Sequence, residues 1–178
     1  MYGVCSHSTE CSGNAERVRN AWRSAFISQT VMDQTNQSVG LLTGSEIVEI
    51  QKRALKTQRA LTKFVYDHVL VLREDSAGVG IYVYHVILET FGTLKPRVSK
   101  VKPKHIAGAW ETLRKERHSV REDDIAASPE PAVLQYAFDA LTEDDEDVVL
   151  SEEEREIIYT VLGAAIECLH NAYRRKQI

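Results

Sequence analysis

Apolar positions along the chain recur at helical spacing far more often than at strand spacing. Ala15, Val18, Trp22, Ala25 and Phe26 share one face of a helix drawn from about Asn14 to Asp33. The polar, glycine-containing stretch "TNQSVGLLTG" (35–44) breaks that pattern and reads as a linker. A second helix starts at Ser45, with Ile47, Ile50, Ala54, Leu61, Val65 and Leu72 forming one long stripe that "REDSAG" (73–78) closes. Thr57, Gln58 and His68 interrupt its apolar face. Val79 to Phe91 is apolar nearly all round, as expected of a central buried helix. Its core, "GIYVYHVIL", has the composition of a buried strand as well, and length decides for helix.

The rest of the chain alternates loops with helix starts. "GTLKPRVSKVKPK" (92–104) is a basic loop; Pro103 then suits the first turn of a fourth helix carrying Ile106, Ala107, Trp110 and Leu113. "SPEP" (128–131) opens a fifth, from about Ala132 to Leu141. The last runs from Ser151 to about Arg174, with Ile158, Val161, Leu162, Ala165, Leu169 and Ala172 inward. The predicted fold is all-α: a compact bundle of about six helices in a single domain over residues 13–178. It follows an irregular N-terminal segment, 1–12, and segment 79–91 is the one place where a buried strand is the alternative.

Composition changes this picture little. A chain of 178 residues, 43% hydrophobic and 27% charged, has enough apolar surface for a core and is unlike a disordered segment. Three cysteines (Cys5, Cys11 and Cys168) make an odd count, which excludes a complete disulfide framework and favours a reducing compartment. The first thirty residues lack an apolar core behind basic residues, so no signal peptide is expected. The longest apolar run, Val79 to Leu88, is about half of what spans a bilayer. The expectation is a soluble, cytoplasmic protein with no membrane partner.

Charge layout changes it more. The formal net charge is −4, yet Lys95 to Arg121 carries nine Lys/Arg against two Glu, and Glu122 to Glu156 carries fourteen acids against Arg155 alone. Two adjacent blocks of opposite sign predict a charged docking surface. Its candidate acidic residues are Asp144, Asp145, Glu146 and Asp147. Its candidate basic residues, for a partner or for phosphate, are Lys95, Arg97, Lys100, Lys102, Lys104, Arg114 and Arg117. The functional expectation is a non-catalytic interaction or regulatory domain that docks a protein partner, or a second copy of itself, through complementary charge. Nonspecific nucleic-acid association through the basic 95–121 segment is the alternative.

Motif-level chemistry mostly fails. An EF-hand loop needs a glycine at its sixth position and a glutamate at its twelfth, and neither register starting at Asp144 or Asp145 supplies the glycine. Instead, Ser151 and Glu154 form a capping box, with Glu152, Glu153 and Glu154 facing the positive end of the helix dipole. "ECLH" (167–170) has the Glu-x-x-His spacing of carboxylate-bridged metal sites, but no second copy exists. Helical phase also turns Glu167 and His170 away from the apolar stripe, onto a solvated face. "CSHSTEC" places Cys5, His7 and Cys11 together with no fourth zinc ligand nearby. His68, within the apolar stripe, and His85 with Glu89, one turn apart on the third helix, make a candidate buried polar site. No nucleophile accompanies them and no phosphate loop is present, so no catalytic residues, metal or cofactor are assigned.

Overall fold

The computed structural model describes residues 26–94, 98–116, 122–143 and 148–174. All regular structure in these residues is helical, so the strand alternative for 79–91 falls away. Eight helices are present among them, and they differ from the six the pattern predicts for two local reasons and one small addition.

The first reason lies at the start. Residues 26–28 are not helical, and Ser28 is extended at φ −84°, ψ 155° as the N-cap of α1, Gln29–Gly40. The helix expected up to Asp33 therefore begins afresh at Gln29 and consumes most of the supposed linker. It buries only Met32 and Val39, seven positions apart, so its periodic signal is thin. Residues 14–25 of the expected helix lie outside the described residues, as do Cys5, His7 and Cys11.

The second reason is a break in the long second helix. Thr43 and Glu46 form a capping box at the start of α2, Gly44–Thr57, where the Thr43 N–H donates to Glu46 Oε2 at 2.8 Å. Gln58 then leaves the helical region at φ −132°, ψ 47°, and α3, Arg59–Val69, starts at once. Gln58 is buried, and its amide is spent on a distant loop: Nε2 donates to the Ser99 carbonyl at 3.1 Å, while the Val101 N–H donates to Oε1 at 2.9 Å. One apolar stripe thus covers two helices with a tie between them.

Next comes α4, Glu74–Leu94, followed by α5, Pro103–Glu116. A short turn, α6, Glu122–Ala126, is the element periodicity does not announce. Pro131 opens α7, Pro131–Thr142, from its first turn. The predicted capping box opens α8, Glu152–Arg174: Ser151 Oγ donates to Glu154 Oε2 at 2.8 Å, and the Glu154 N–H donates back to Ser151 Oγ at 3.3 Å.

Helix α8 is the axis of the fold, packing against α3, α4, α5 and α7. Every residue from Ile158 to Ile166 is buried, so the helix has no solvated face along that length. Full burial of a side chain such as Ile158 or Leu162 stabilises the fold by about 1.5–3 kcal/mol. Helix α4 crosses close by, and Gly80 makes the approach possible: a Cβ there would stand 2.9 Å from Val69 Cγ1 and 3.2 Å from Ile158 Cγ2. Around this pair, α1 packs on α4 and α7, and α2 packs on α3 and α4. No helix among the described residues is long and apolar enough to cross a membrane.

Candidate functional site

Helix α1 has a depression on each flank. On one side, α1, α4 and α7 enclose a hollow of about 690 Å³. Asp33 comes from α1, Glu74 and Asp75 from the first turn of α4, and Asp139 from α7, with Glu143 just after its end. These five carboxylates face no Lys or Arg among the described residues lining the hollow. Such a concentration of one sign in a concave surface focuses a negative potential outward.

Hydrogen bonds fix its walls. Asn36 Oδ1 accepts from the Tyr82 hydroxyl at 2.8 Å and from the Tyr136 hydroxyl at 2.9 Å, joining α1 to α4 and α7 at one atom. Burial pushes the Tyr136 phenol well above its ordinary pKa, and the neighbouring Tyr82 and Glu143 add to the shift, so it stays protonated as a donor. Two of the carboxylates are oriented by amides one turn away: Gln29 Nε2 donates to Asp33 at 2.9 Å, and Gln135 Nε2 donates to Asp139 at 2.7 Å. The predicted acids Asp144, Asp145, Glu146 and Asp147 lie outside the described residues. In sequence they join Glu143 to Val148, both of which line the hollow. Among the described residues no three His, Cys, Asp or Glu side chains are grouped to hold a metal ion.

On the other flank, α1, α2 and α4 form a groove of about 580 Å³ with an apolar floor of Val31, Val39, Leu42 and Ile50. Arg53 and Glu89 bridge one end, Nη2 to Oε2 at 2.6 Å and Nε to Oε1 at 3.2 Å. Beyond that bridge a second depression, about 380 Å³, runs on toward Val98 and Leu169.

The three residues expected to form a buried polar site do not converge. His85 is buried and shares a 3.0 Å hydrogen bond with the Tyr66 hydroxyl, not with Glu89. Burial lowers its pKa to about 4, so the imidazole is neutral near pH 7. Glu89 turns the other way, to Arg53. His68 is half-buried; its Nδ1 donates to the Phe64 carbonyl at 2.8 Å, and its ring packs at 4.8 Å from that of Trp110. The local pairing expected of His85 and Glu89 is corrected by these partners: residues one turn apart on α4 reach different neighbouring helices.

His170 is the larger correction. His170 lies beyond the all-round buried stretch of α8, yet it turns to a buried carboxylate rather than to solvent. Its Nδ1 donates to Glu130 Oε1 at 2.9 Å, with side-chain exposures of 13% and 1%. Glu130 Oε2 also accepts the Ile27 N–H at 2.9 Å, so this buried carboxylate ties the chain ahead of α1 to the end of α8. Cys168 is buried beside it on α8, its thiol donating to the His105 carbonyl at 3.6 Å.

In the basic block, Lys95, Arg97 and Arg117 lie outside the described residues, while Lys100, Lys102, Lys104 and Arg114 are exposed. Glu154, expected only as a cap, accepts both Arg73 nitrogens (2.8 and 2.6 Å), the Ser76 hydroxyl at 2.7 Å and the Ser151 N–H at 2.9 Å. Arg73 first, then the serine donors, hold its carboxyl well below the usual carboxylate range. Among the described residues, Glu154 pairs with Arg73 and Glu130 with His170, and both of these partners lie outside the basic block.

The sequence does not single out the hollow, since Asp33, the Glu74–Asp75 pair and Asp139 lie far apart on separate elements. Three comparisons end this description without a relative: no protein-family model, no curated protein and no solved structure matches the chain.

Proposed function

We propose that the protein is a binding domain, not a catalyst, that docks a basic segment of a protein partner against its acidic face. One observation carries this reading: four carboxylates from three helices, with Glu143 just past the end of α7, line a single hollow of about 690 Å³ without a cation among its described lining residues. Lysine or arginine side chains entering it gain the focused field, and the two tyrosines add ring surface for cation–π contact. Charge of this kind steers encounter and selects partners more than it sets affinity.

The test uses a fluorescent lysine-rich peptide, a glutamate-rich peptide and a generic single-stranded RNA as probes against the full chain. The lysine-rich peptide alone binds, more weakly as salt rises, and Asp75→Lys with Glu143→Lys reduces its affinity at least tenfold without changing helical circular dichroism. Equal binding of the charge-reversed chain would refute the hollow as the site. Binding of RNA instead would favour the exposed Lys100, Lys102, Lys104 and Arg114 and a nucleic-acid function. Light scattering at low and high salt reveals whether a second copy supplies the counter-charge.

A further inference from the structure

We infer that the partner's basic segment carries an aliphatic anchor beside its cations, and that the anchor seats on an exposed patch of Leu70, Val71 and Val149 next to the acidic hollow. The inference rests on the function proposed for that hollow and adds the chemistry that holds the partner there.

Two connections make the patch. Leu70 and Val71, 60% and 79% exposed, stand in the turn between α3 and α4, and Val149, 68% exposed, stands just ahead of α8. Their neighbours in the chain turn inward: Val69 and Leu150 are buried, while Leu72 and Val148 pack against the core. Arg73 brings the two connections to the same end of the molecule, its Nη2 donating to the Val149 carbonyl at 2.8 Å. The same guanidinium pairs with Glu154, which also accepts the Ser76 hydroxyl at 2.7 Å and the Ser151 N–H at 2.9 Å. Three aliphatic side chains are thus held toward water by backbone that is already fixed, so contact with them orders little that is not ordered beforehand.

Position and charge select the occupant. Val71 precedes Glu74 by three residues and Val149 follows Val148, and both Glu74 and Val148 line the hollow. Beyond Val149, the exposed Glu152 and Glu153 begin α8. Arg73, the cation beside the patch, is drawn to Glu154. An apolar centre with an acidic surround opposes a second copy, which would set the same acids against themselves, and an anionic membrane surface, which they repel. A basic segment with a leucine-like side chain gains twice: its cations meet the carboxylates, and its anchor takes the patch out of water. The hollow's field speeds the encounter, and the patch supplies the area that slows departure.

The test compares two fluorescent peptides on the full chain, a lysine–serine peptide and the same peptide with two adjacent serines replaced by leucines. The leucine peptide binds about tenfold tighter. Val71→Ser with Val149→Ser abolishes that gain and leaves the affinity of the serine peptide and the helical circular dichroism unchanged; Leu70→Ser alone lowers the gain in the same direction. Val48→Ser with Leu55→Ser, an exposed pair on α2 away from the patch, preserves it. Equal affinity for the two peptides overturns the inference and leaves the hollow standing, and so does a gain that survives the patch variants. Serine-peptide binding that is indifferent to Asp75→Lys with Glu143→Lys refutes the hollow itself, and the inference with it. Self-association of the unaltered chain that Val71→Ser with Val149→Ser removes gives the patch to a second copy and equally overturns the inference.

Discussion

The two flanks of α1 are made by the same helix and differ in almost every physical respect. Toward α4 and α7 the helix presents Asp33 and Asn36 to a hollow whose walls are locked at one oxygen atom and whose lining is negative. Toward α2 and α4 it presents Val31 and Val39 to a groove that a single exposed ion pair spans. The first flank is charged, with its walls tied through Asn36; the second has an apolar floor with charged residues along its edge. A partner on the first would be drawn by long-range field, whereas contact on the second would gain from area removed from water. A helix with so few buried residues is placed by its two neighbours rather than by its own propensity, and each flank is a consequence of that placement.

The comparison is sharpened most by the helix that serves both sides. Helix α4 sends Tyr82 to the hollow and Glu89 to the groove, with His85 between them in the core. Because the folded pKa of His85 is depressed to about 4 from 6.5, the unfolded chain takes up the proton first. Its contribution is complete above pH 6.5 and is lost as pH falls through that value toward 4, at most about 3 kcal/mol in all. Urea unfolding at pH 7 and 4.5 measures the loss, and His85→Phe removes that part of it. Glu154, whose carboxyl is held low by Arg73, contributes in the separate window below about pH 4.5. An undiminished pH dependence in the variant would assign the slope to other groups.

Next in size is the lock itself. Asn36→Ala leaves the Tyr136 hydroxyl, in a residue only 8% exposed, without its acceptor, and should destabilise by about 1–3 kcal/mol in urea. Tyr82, which is exposed, regains water and adds little. A change below about 0.5 kcal/mol would mean that the hollow's walls hold without the shared oxygen. Smallest is the bridge over the groove. Arg53→Ala should cost no more than about 1 kcal/mol, since the guanidinium is largely exposed, while joining the groove to the depression beyond it. A loss well above that figure would show that the second flank, too, is held by polar contacts.

Much of the helical skeleton was legible in the chain. Strong stripes, Pro103, Pro131 and the Ser151–Glu154 box located α4, α5, α7 and α8 to within a few residues, because each signal is local. What failed was set from a distance. The break at Gln58 exists because Ser99 and Val101 sit beside it, more than forty residues away in sequence. His170 looked solvent-facing because helical phase was judged against a single stripe, whereas α8 is enclosed by four helices. The second half of helix α1, 35–40, reads as linker because two buried residues seven apart make a weak pattern. The candidate hollow was illegible for a related reason: its five carboxylates come from three elements and form no motif. The contiguous acidic run pointed toward the same neighbourhood only through Glu143 and Val148, at its two ends.

The carboxamide of Gln58 has a consequence for how the chain tolerates change. By offering one donor and one acceptor to residues 99 and 101, it imitates a peptide unit, so the loop is held as though one rung of a ladder had been inserted between two helices. A glutamate there has the right shape and lacks the donor, which leaves the Ser99 carbonyl facing a negative charge. Length added to the loop after residue 99 would pull Val101 from its place over the core. The basic loop is thus a flap stitched at one edge, and the stitch is a side chain that sequence patterning registers only as a polar interruption.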